Sequence, residues 1–322
     1  MDPGPDRRGL KRAVAWLGVV ASLGMFAVLV MGETVTTTGS AEGCGHDWPL
    51  CHGRFIPDFA VATAIEFSHR AVTGVEGILI VALTVGVLLL WRERRAVRVL
   101  APLMLGALLL QAGMGAWAVK YPQQPVVLAL HFGISLVALA SVVLTAVYVW
   151  QVDRPGALPA RITPRAVRWV TWATALYVYL LVYSGAYIRH VGAAGACPGW
   201  PLCGSSPVAT ASGPAVNLVH RFAAALALLL AVGLAIGYRR LAAQRTDLVR
   251  GAWILVVCLV GQAASGAYLV LSHWGLGGEL AHAAVTGITF TAIAYLCYRT
   301  VLGPQTEPAP AAPAVLHAQG VR

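Results

Sequence analysis

Eight apolar runs of membrane-spanning length constrain the fold of this chain more than any other feature. A helix needs about 20 mostly apolar residues to cross a bilayer, and lipid admits only helices and closed barrels because backbone polar groups find no water there. Charged residues make up only 11% of the 322 residues, against roughly 25% in soluble domains. The sequence therefore predicts an all-α integral membrane protein with eight transmembrane helices. The runs are Ala13–Met31, Ser68–Trp91, Ala96–Val119, Val126–Trp150, Arg168–Ile188, Val216–Tyr238, Gly251–Leu271 and Glu279–Val301.

The basic residues predict the orientation and argue against nucleic acid as a partner. The net charge is +10, but these residues cluster in short segments between the runs rather than on one soluble face. They are concentrated before the first run and after the second, fourth and sixth, whereas the alternate loops hold only Arg54, Lys120 and Arg189. The positive-inside rule then predicts cytoplasmic termini and outward-facing cysteine loops. The first run could be a signal peptide, but it is long for one and no A-x-A site closes it.

The chain is internally duplicated. The four-residue segments Trp48–Cys51 and Trp200–Cys203 are identical. A second cysteine precedes each segment, Cys44 in the first half and Cys197 in the second. Each copy holds four spans, an even number, so both halves enter the membrane in the same sense. Three further pairs share an offset of 151 residues: His69 and His220, Gln111 and Gln262, and His131 and His282.

The repeat predicts two tandem four-helix bundles related by a pseudo-twofold axis along the membrane normal. The first half covers residues 1–152 and the second half covers residues 153–302. Residues 303–322 are rich in Pro and Ala. They are predicted to form a disordered cytoplasmic tail, because they cannot bury a core.

Four histidines lie near the outer ends of the predicted spans, in two matched pairs. His69 and His131 lie in the second and fourth spans of the first half, and His220 and His282 in those of the second. Two parallel helices that present imidazoles across a bundle can ligate an iron from both faces of a haem. A hydrogen bond to a neighbouring helix is the simpler alternative, although ionisable groups at membrane depth are usually functional. Zinc is a competing metal, but each half lacks a third ligand in the same layer, and Glu66 is available in one half only.

The two halves differ beside the first histidine of each pair. Glu66 lies three residues before His69, whereas Asn217 occupies the matching position before His220. A residue three positions before a ligand lies on the same helix face. The carboxylate can move protons or stabilise charge beside the iron, or it can be a solvated charge at a helix N-terminus. We interpret Glu66 as a candidate catalytic residue.

An arginine directly follows the first histidine of each half, Arg70 after His69 and Arg221 after His220. Guanidinium groups suit carboxylate geometry, so both are candidates for contacts with haem propionates. Snorkelling to lipid phosphate is the alternative.

The outward loops carry two cysteine pairs, which are predicted to form disulfides. The pairs are Cys44 with Cys51 and Cys197 with Cys203. Oxidation is permitted on the outer face of a membrane. Each bridge would pin a cap over the histidine pair beneath it, and a redox role for the first pair stays open.

These features together resemble the haem A synthase family, of the bacterial type with cysteine pairs in both halves. The resemblance covers about Arg12 to Arg299, and the Thr38–Cys44 stretch and the repeated Trp-Pro-Leu-Cys word are its most specific parts. The family converts haem O to haem A for cytochrome oxidase. It oxidises the C8 methyl group of the porphyrin through an alcohol to a formyl group.

The resemblance implies a role for each half. The first half would hold haem O as substrate through His69 and His131, with Glu66 acting on the methyl group. The second half would hold haem b as cofactor through His220 and His282. It implies a multi-pass protein of the bacterial cell membrane. Haem O synthase and a second copy of the chain are candidate partners.

Two other functions fit part of the sequence. A di-haem b-type membrane electron carrier linked to quinone explains the four histidines, but neither the exchange of Glu66 for Asn217 nor the cysteine caps. A transporter is favoured by the parallel repeat alone, and it leaves the symmetric histidines unexplained.

Overall fold

The computed structural model describes residues 5–121, 124–154, 163–204, 213–241 and 244–302. The predicted tail, residues 303–322, lies outside this part of the chain. The described residues form eight long α-helices and two short 3-10 turns, Ala194–Ala196 and Arg239–Leu241. The helices are α1 Pro5–Thr37, α2 Val61–Trp91, α3 Arg95–Lys120, α4 Pro125–Gln151, α5 Arg165–His190, α6 Gly213–Tyr238, α7 Thr246–Leu271 and α8 Leu276–Val301.

All eight helices are long and apolar enough to cross a membrane. The prediction of an all-α membrane protein with eight spans is therefore confirmed. Helices suit these segments because each one satisfies its backbone hydrogen bonds internally, which lipid requires. The chain is a multi-pass protein of the cell membrane.

The helices extend beyond the apolar runs, most clearly in α2. That helix begins at Val61 rather than at Ser68. The added turns carry one charged residue, Glu66, and it pairs with Arg70 one turn further along the helix. The charge is therefore compensated locally and does not end the helix. As a result His69 lies about 12 Å along the axis from the first residue, deeper than the sequence predicts.

The four helices of each half pack around a closed ring. In the first half α1 and α3 each pack against both α2 and α4, and in the second half α5 and α7 each pack against both α6 and α8. Each ring encloses its own apolar core, with Ile80, Leu83 and Leu136 in the first and Leu255 and Leu296 in the second. The contacts between halves run from α1 to α8, from α4 to α5 and from α4 to α8. The pseudo-twofold axis and the boundary at residue 152 stay predictions.

The loops from α1 to α2 and from α5 to α6 lie at the end of the molecule where α2 and α6 begin, called here the cysteine end. The first loop is closed by a disulfide between Cys44 and Cys51, and the second by one between Cys197 and Cys203. Both predicted pairings are confirmed. All four cysteines are buried, and the bond between Trp and Pro is cis in each loop. The caps are therefore alike in construction.

Candidate functional site

The even-numbered helices α2, α4, α6 and α8 each carry one of the four predicted histidines, six to eight residues from the start of the helix. His69 and His131 are close enough to interact electrostatically, and so are His220 and His282. The second pair lines one cavity. The structure thus brings together the two histidines of each half, as the repeat predicts.

Each of the four histidine rings packs against a glycine on a neighbouring helix. A Cβ built on Gly32 of α1 would lie 3.2 Å from Cε1 of His69, and one built on Gly185 of α5 would lie 2.9 Å from Cε1 of His220. Gly115 and Gly266 face His131 and His282 at 3.5 and 3.4 Å. At Gly32 and Gly185 the ring approaches this closely because glycine has no side chain. We call these four residues the ring glycines: Gly32, Gly115, Gly185 and Gly266.

A polar network supports the second histidine of each half in the same way. The Ser135 hydroxyl donates to the His131 carbonyl at 2.9 Å, and Gln111 Nε2 donates to Ser135 Oγ. In the second half the Thr286 hydroxyl donates to the His282 carbonyl at 2.7 Å, and Gln262 Nε2 donates to Thr286 Oγ1 at 2.7 Å.

The glutamine amide also approaches the imidazole in both halves. Gln111 Nε2 lies 3.3 Å from Nε2 of His131, and Gln262 Nε2 lies 3.2 Å from Nε2 of His282. The matching glutamines were visible in the sequence. The hydroxyl partners were missed, although Ser135 and Thr286 share the offset of 151 residues.

The hydrogen-bond partners of the histidine Nδ1 atoms differ between the two halves. In the second half Ser184 Oγ lies 2.7 Å from Nδ1 of His220, and Ser265 Oγ lies 3.0 Å from Nδ1 of His282. In the first half Nδ1 of His69 and Nδ1 of His131 are buried without a hydrogen-bond partner among the described residues. The repeat alone does not predict this difference.

Glu66 connects the first cap to helix α2. It is 3% exposed. Its Oε2 accepts the backbone N–H of Cys44 at 2.8 Å, and its Oε1 accepts a hydrogen bond from Arg70. The carboxylate is thus held below the disulfide, one helical turn from His69.

Asn217 occupies the matching place with the opposite hydrogen-bond polarity. It is 4% exposed. Its Nδ2 donates to the carbonyls of Ala193 and Gly213 at 2.8 and 2.9 Å. A carboxylate accepts where this amide donates, so the two halves are chemically distinct below their caps.

The two arginines bind the caps. Arg70 donates to the carbonyls of Asp47 and Leu50 at 2.6 and 2.8 Å. Arg221 donates to the carbonyls of Cys197, Gly199 and Pro201, at 2.9, 2.5 and 3.1 Å. Sequence reasoning missed this role, and a contact of either arginine with haem propionates stays a prediction.

The second half contains a cavity of about 400 Å³. Its wall is mostly apolar, with residues such as Leu228 and Phe290, and the two histidines reach into it together with Arg221. Ligand pockets commonly have this size and this mixture of apolar wall and few polar groups. Two imidazoles, the flanking ring glycines and an apolar wall fit a haem ligated from both faces.

A charged cluster joins the halves at the edge of this cavity. Arg189, near the end of α5, forms ion pairs with Glu33 of α1 and Glu279 of α8. Thr37 of α1 accepts a hydrogen bond from Arg189 at 2.6 Å. Glu33 and Arg189 both line the cavity. In the sequence, Arg189 contributes only to the charge bias between loops.

Two further polar residues were missed. His190 lines the cavity of the second half, and no histidine at the repeat offset in the first half pointed to it. Glu76 lies two turns after His69 on α2 and is 2% exposed, and its Oε1 has no hydrogen-bond partner among the described residues. The signal for Glu76 was present, since charged residues inside membrane spans are rare and usually functional.

The chain is similar in sequence to a known family. Residues 58–294 match the family described as cytochrome oxidase assembly protein. A protein of Symbiobacterium thermophilum named haem A synthase is 38% identical over 283 residues, which cover 86% of this chain and 92% of that protein. Haem A synthases of Exiguobacterium sibiricum and Bacillus cereus are each 37% identical, and the matches cover 90% and 92% of this chain and 96% of each relative. The chain therefore belongs to the cytochrome oxidase assembly protein family.

Proposed function

We propose that this protein is a haem A synthase, which oxidises the C8 methyl group of haem O to a formyl group. The proposal is supported by relatives of that name that align over most of the chain. The observation that carries it is a difference in the residue beside the first histidine of each pair. Glu66 stands beside the first pair and Asn217 beside the second. A carboxylate in the first half thus stands where the second half has an amide, which cannot take up a proton.

The first half is the proposed reaction site. His69 and His131 would hold the iron of haem O, and Glu66 would accept a proton at its carboxylate beside the reacting methyl group. Its hydrogen bonds to the Cys44 amide and to Arg70 fix the carboxylate in position. The cap above it, closed by the Cys44–Cys51 disulfide, would limit the access of water to this carboxylate.

The second half is the proposed cofactor site. His220 and His282 would hold a haem b, whose iron would supply one-electron transfer. The cavity and its ring glycines, Gly185 and Gly266, support this assignment. Arg221 would keep the second cap over the site through the loop carbonyls that it binds.

We further propose that the cysteine end faces outward and that both termini are cytoplasmic. The bias of basic residues toward the loops at the opposite end supports this orientation. Haem O would then react near the outer surface, since the histidines lie within three turns of the cysteine end.

The haem content of the purified protein tests the function. The full chain is produced with haem O supplied, and the extracted haems are separated by chromatography. We expect haem b together with haem O or haem A. Haem b alone would support a di-haem electron carrier and would overturn the synthase. A chain without any haem would overturn both.

A further inference from the structure

We propose that Ser184 and Ser265 are positioning residues that retain haem b in the second half, and that Met31 and Met114 at the matching positions let the first half release its haem. The inference rests on the proposed function, because it assumes a resident haem in one half and a substrate haem in the other. It concerns the ring nitrogen that does not face the iron. Second-sphere hydrogen bonds of this kind set the orientation and the basicity of a histidine ligand.

The Ser184 hydroxyl fixes the tautomer of His220. Its Oγ donates its own proton to the Leu181 carbonyl at 2.7 Å, on the same helix. Because the hydroxyl has one proton, both bonds form together only when Nδ1 of His220, 2.7 Å away, donates to this oxygen. Nδ1 therefore carries the proton, and Nε2 is left with the lone pair that a metal requires.

Ser265 contacts Nδ1 of His282, which Gln262 Nε2 also approaches at 3.2 Å. Its hydroxyl donates to the Gln262 carbonyl at 2.8 Å, and its Oγ lies 3.0 Å from Nδ1 of His282. The arrangement recurs on two different helix pairs, α5 with α6 and α7 with α8. Both histidines of the second half are thus oriented by a serine whose proton is already committed to its own helix.

The ring glycines align the two halves, so that the residue before each glycine can be compared. Ser184 directly precedes Gly185, and Ser265 directly precedes Gly266. In the first half the residue before Gly32 is Met31. The matching residue before Gly115 is Met114. Both serines are therefore replaced by methionine in the first half.

Methionine cannot replace the serine hydroxyl. A thioether has no proton and is only a weak acceptor, and its flexible chain adapts to the space that it is given. This agrees with Nδ1 of His69 and Nδ1 of His131, which lack a hydrogen-bond partner in the described part of the chain. In the first half His69 packs against Gly32, and His131 packs against Gly115 and lies 3.3 Å from Gln111 Nε2.

The exchange of serine for methionine fits the different roles proposed for the two haems. A cofactor haem must stay bound through many turnovers, whereas a substrate haem must leave after each one. Loss of a second-sphere partner commonly weakens metal binding by about 10–100-fold. The serines thus favour retention in the second half, and the methionines favour exchange in the first.

The test removes each hydroxyl without adding bulk. In the full-length protein with bound haem, Ser184→Ala and Ser265→Ala are expected to speed the transfer of haem b to apomyoglobin by about 10–100-fold. The electron paramagnetic resonance signal of the low-spin haem b is expected to shift, and Ser184→Thr should restore the wild-type rate. Ser22→Ala is the matched control, because Ser22 on α1 also donates to its own helix, at the Gly18 carbonyl. Wild-type transfer rates and an unshifted signal in both alanine variants would overturn the proposal.

The reciprocal variants test the first half. Met31→Ser with Met114→Ser is expected to slow the release of haem A by a similar factor and to lower kcat. Unchanged release of haem A from this variant would overturn the exchange role of the methionines. The proposed function and the role of the serines can be tested separately. A wild-type chain that binds haem b alone would overturn the synthase. The rate of haem b transfer would still test the role of Ser184 and Ser265.

Discussion

Glu66 accepts the backbone N–H of Cys44 at 2.8 Å, so the carboxylate one turn before His69 is also bonded to the disulfide loop above it. The carboxylate pairs with Arg70, which itself binds two carbonyls of that loop. The candidate catalytic group and the first cap are therefore parts of one hydrogen-bonded unit.

Glu66→Gln is expected to keep bound haem and to abolish haem A formation. Glutamine retains an oxygen that can accept the Cys44 N–H, but it cannot take up a proton. General acid–base catalysis contributes about 10²–10⁴-fold to rates, so haem A output should fall by at least about 100-fold. Extracted haems measure both quantities. The control for the loss of charge is Glu93→Gln, because Glu93 is an exposed glutamate that pairs with Arg92. Normal haem A output from Glu66→Gln would show that Glu66 is not a catalytic residue.

Alanine at the ring glycines is expected to give a graded loss of haem b. At Gly185 a Cβ would meet the His220 ring at 2.9 Å, so the ring must move. At Gly266 the distance to His282 is 3.4 Å, an ordinary contact, and haem b should be retained. Haem b per protein, read from its absorbance, distinguishes the variants.

Gly233→Ala on α6 is the control for that series, since a Cβ there meets nothing within 4 Å. Alanine should stabilise this helix by up to about 1 kcal/mol. Full haem b content in Gly185→Ala would contradict the close packing of glycine and ring.

Arg70→Lys is expected to loosen the first cap. The Arg70 guanidinium donates to two loop carbonyls and to Glu66 at once. A lysine ammonium lacks the forked, planar donors that make these bonds together. Trypsin should then cut faster after Arg54, an exposed residue that follows the disulfide. The fragment ending at Arg54 can be followed by mass spectrometry. Arg221→Lys, the same change in the other cap, should leave the cut at Arg54 unchanged, and equal rates in both variants would argue against a local clamp.

Arg189→Met is expected to destabilise the contact between the two halves. The change leaves Glu33 and Glu279 without their shared cation at a largely buried position. Breaking a buried ion pair costs about 3–5 kcal/mol, so the midpoint of thermal unfolding should fall. Adding Glu33→Gln and Glu279→Gln should recover most of the loss. A triple variant as unstable as Arg189→Met would show that the charges are not the cause.

The spans and the histidine pairs could be predicted because both are expressed along the chain itself. Hydropathy sets which segments enter lipid, and a repeat offset aligns His69 with His220 without any coordinates. The cysteine pairings followed from the duplication and from the outward location of both loops. Helix ends were less predictable, as α2 shows, because local pairing of Glu66 with Arg70 extends a helix past its apolar run.

The partners of the site residues could not be predicted, because they depend on how neighbouring helices rotate and approach. Sequence spacing places Arg221 after His220, but only the packed loop brings three carbonyls around its guanidinium. The contact of Arg189 with Glu33 joins residues from different halves, so no repeat offset relates them.

The sequence by itself determined the eight membrane helices, the duplication, the two histidine pairs and the exchange of Glu66 for Asn217, because composition and spacing carry that information. Only the tertiary structure decided what faces each ring nitrogen. Ser184 meets Nδ1 of His220 because α5 and α6 pack closely at Gly185, and that approach depends on both helices at once.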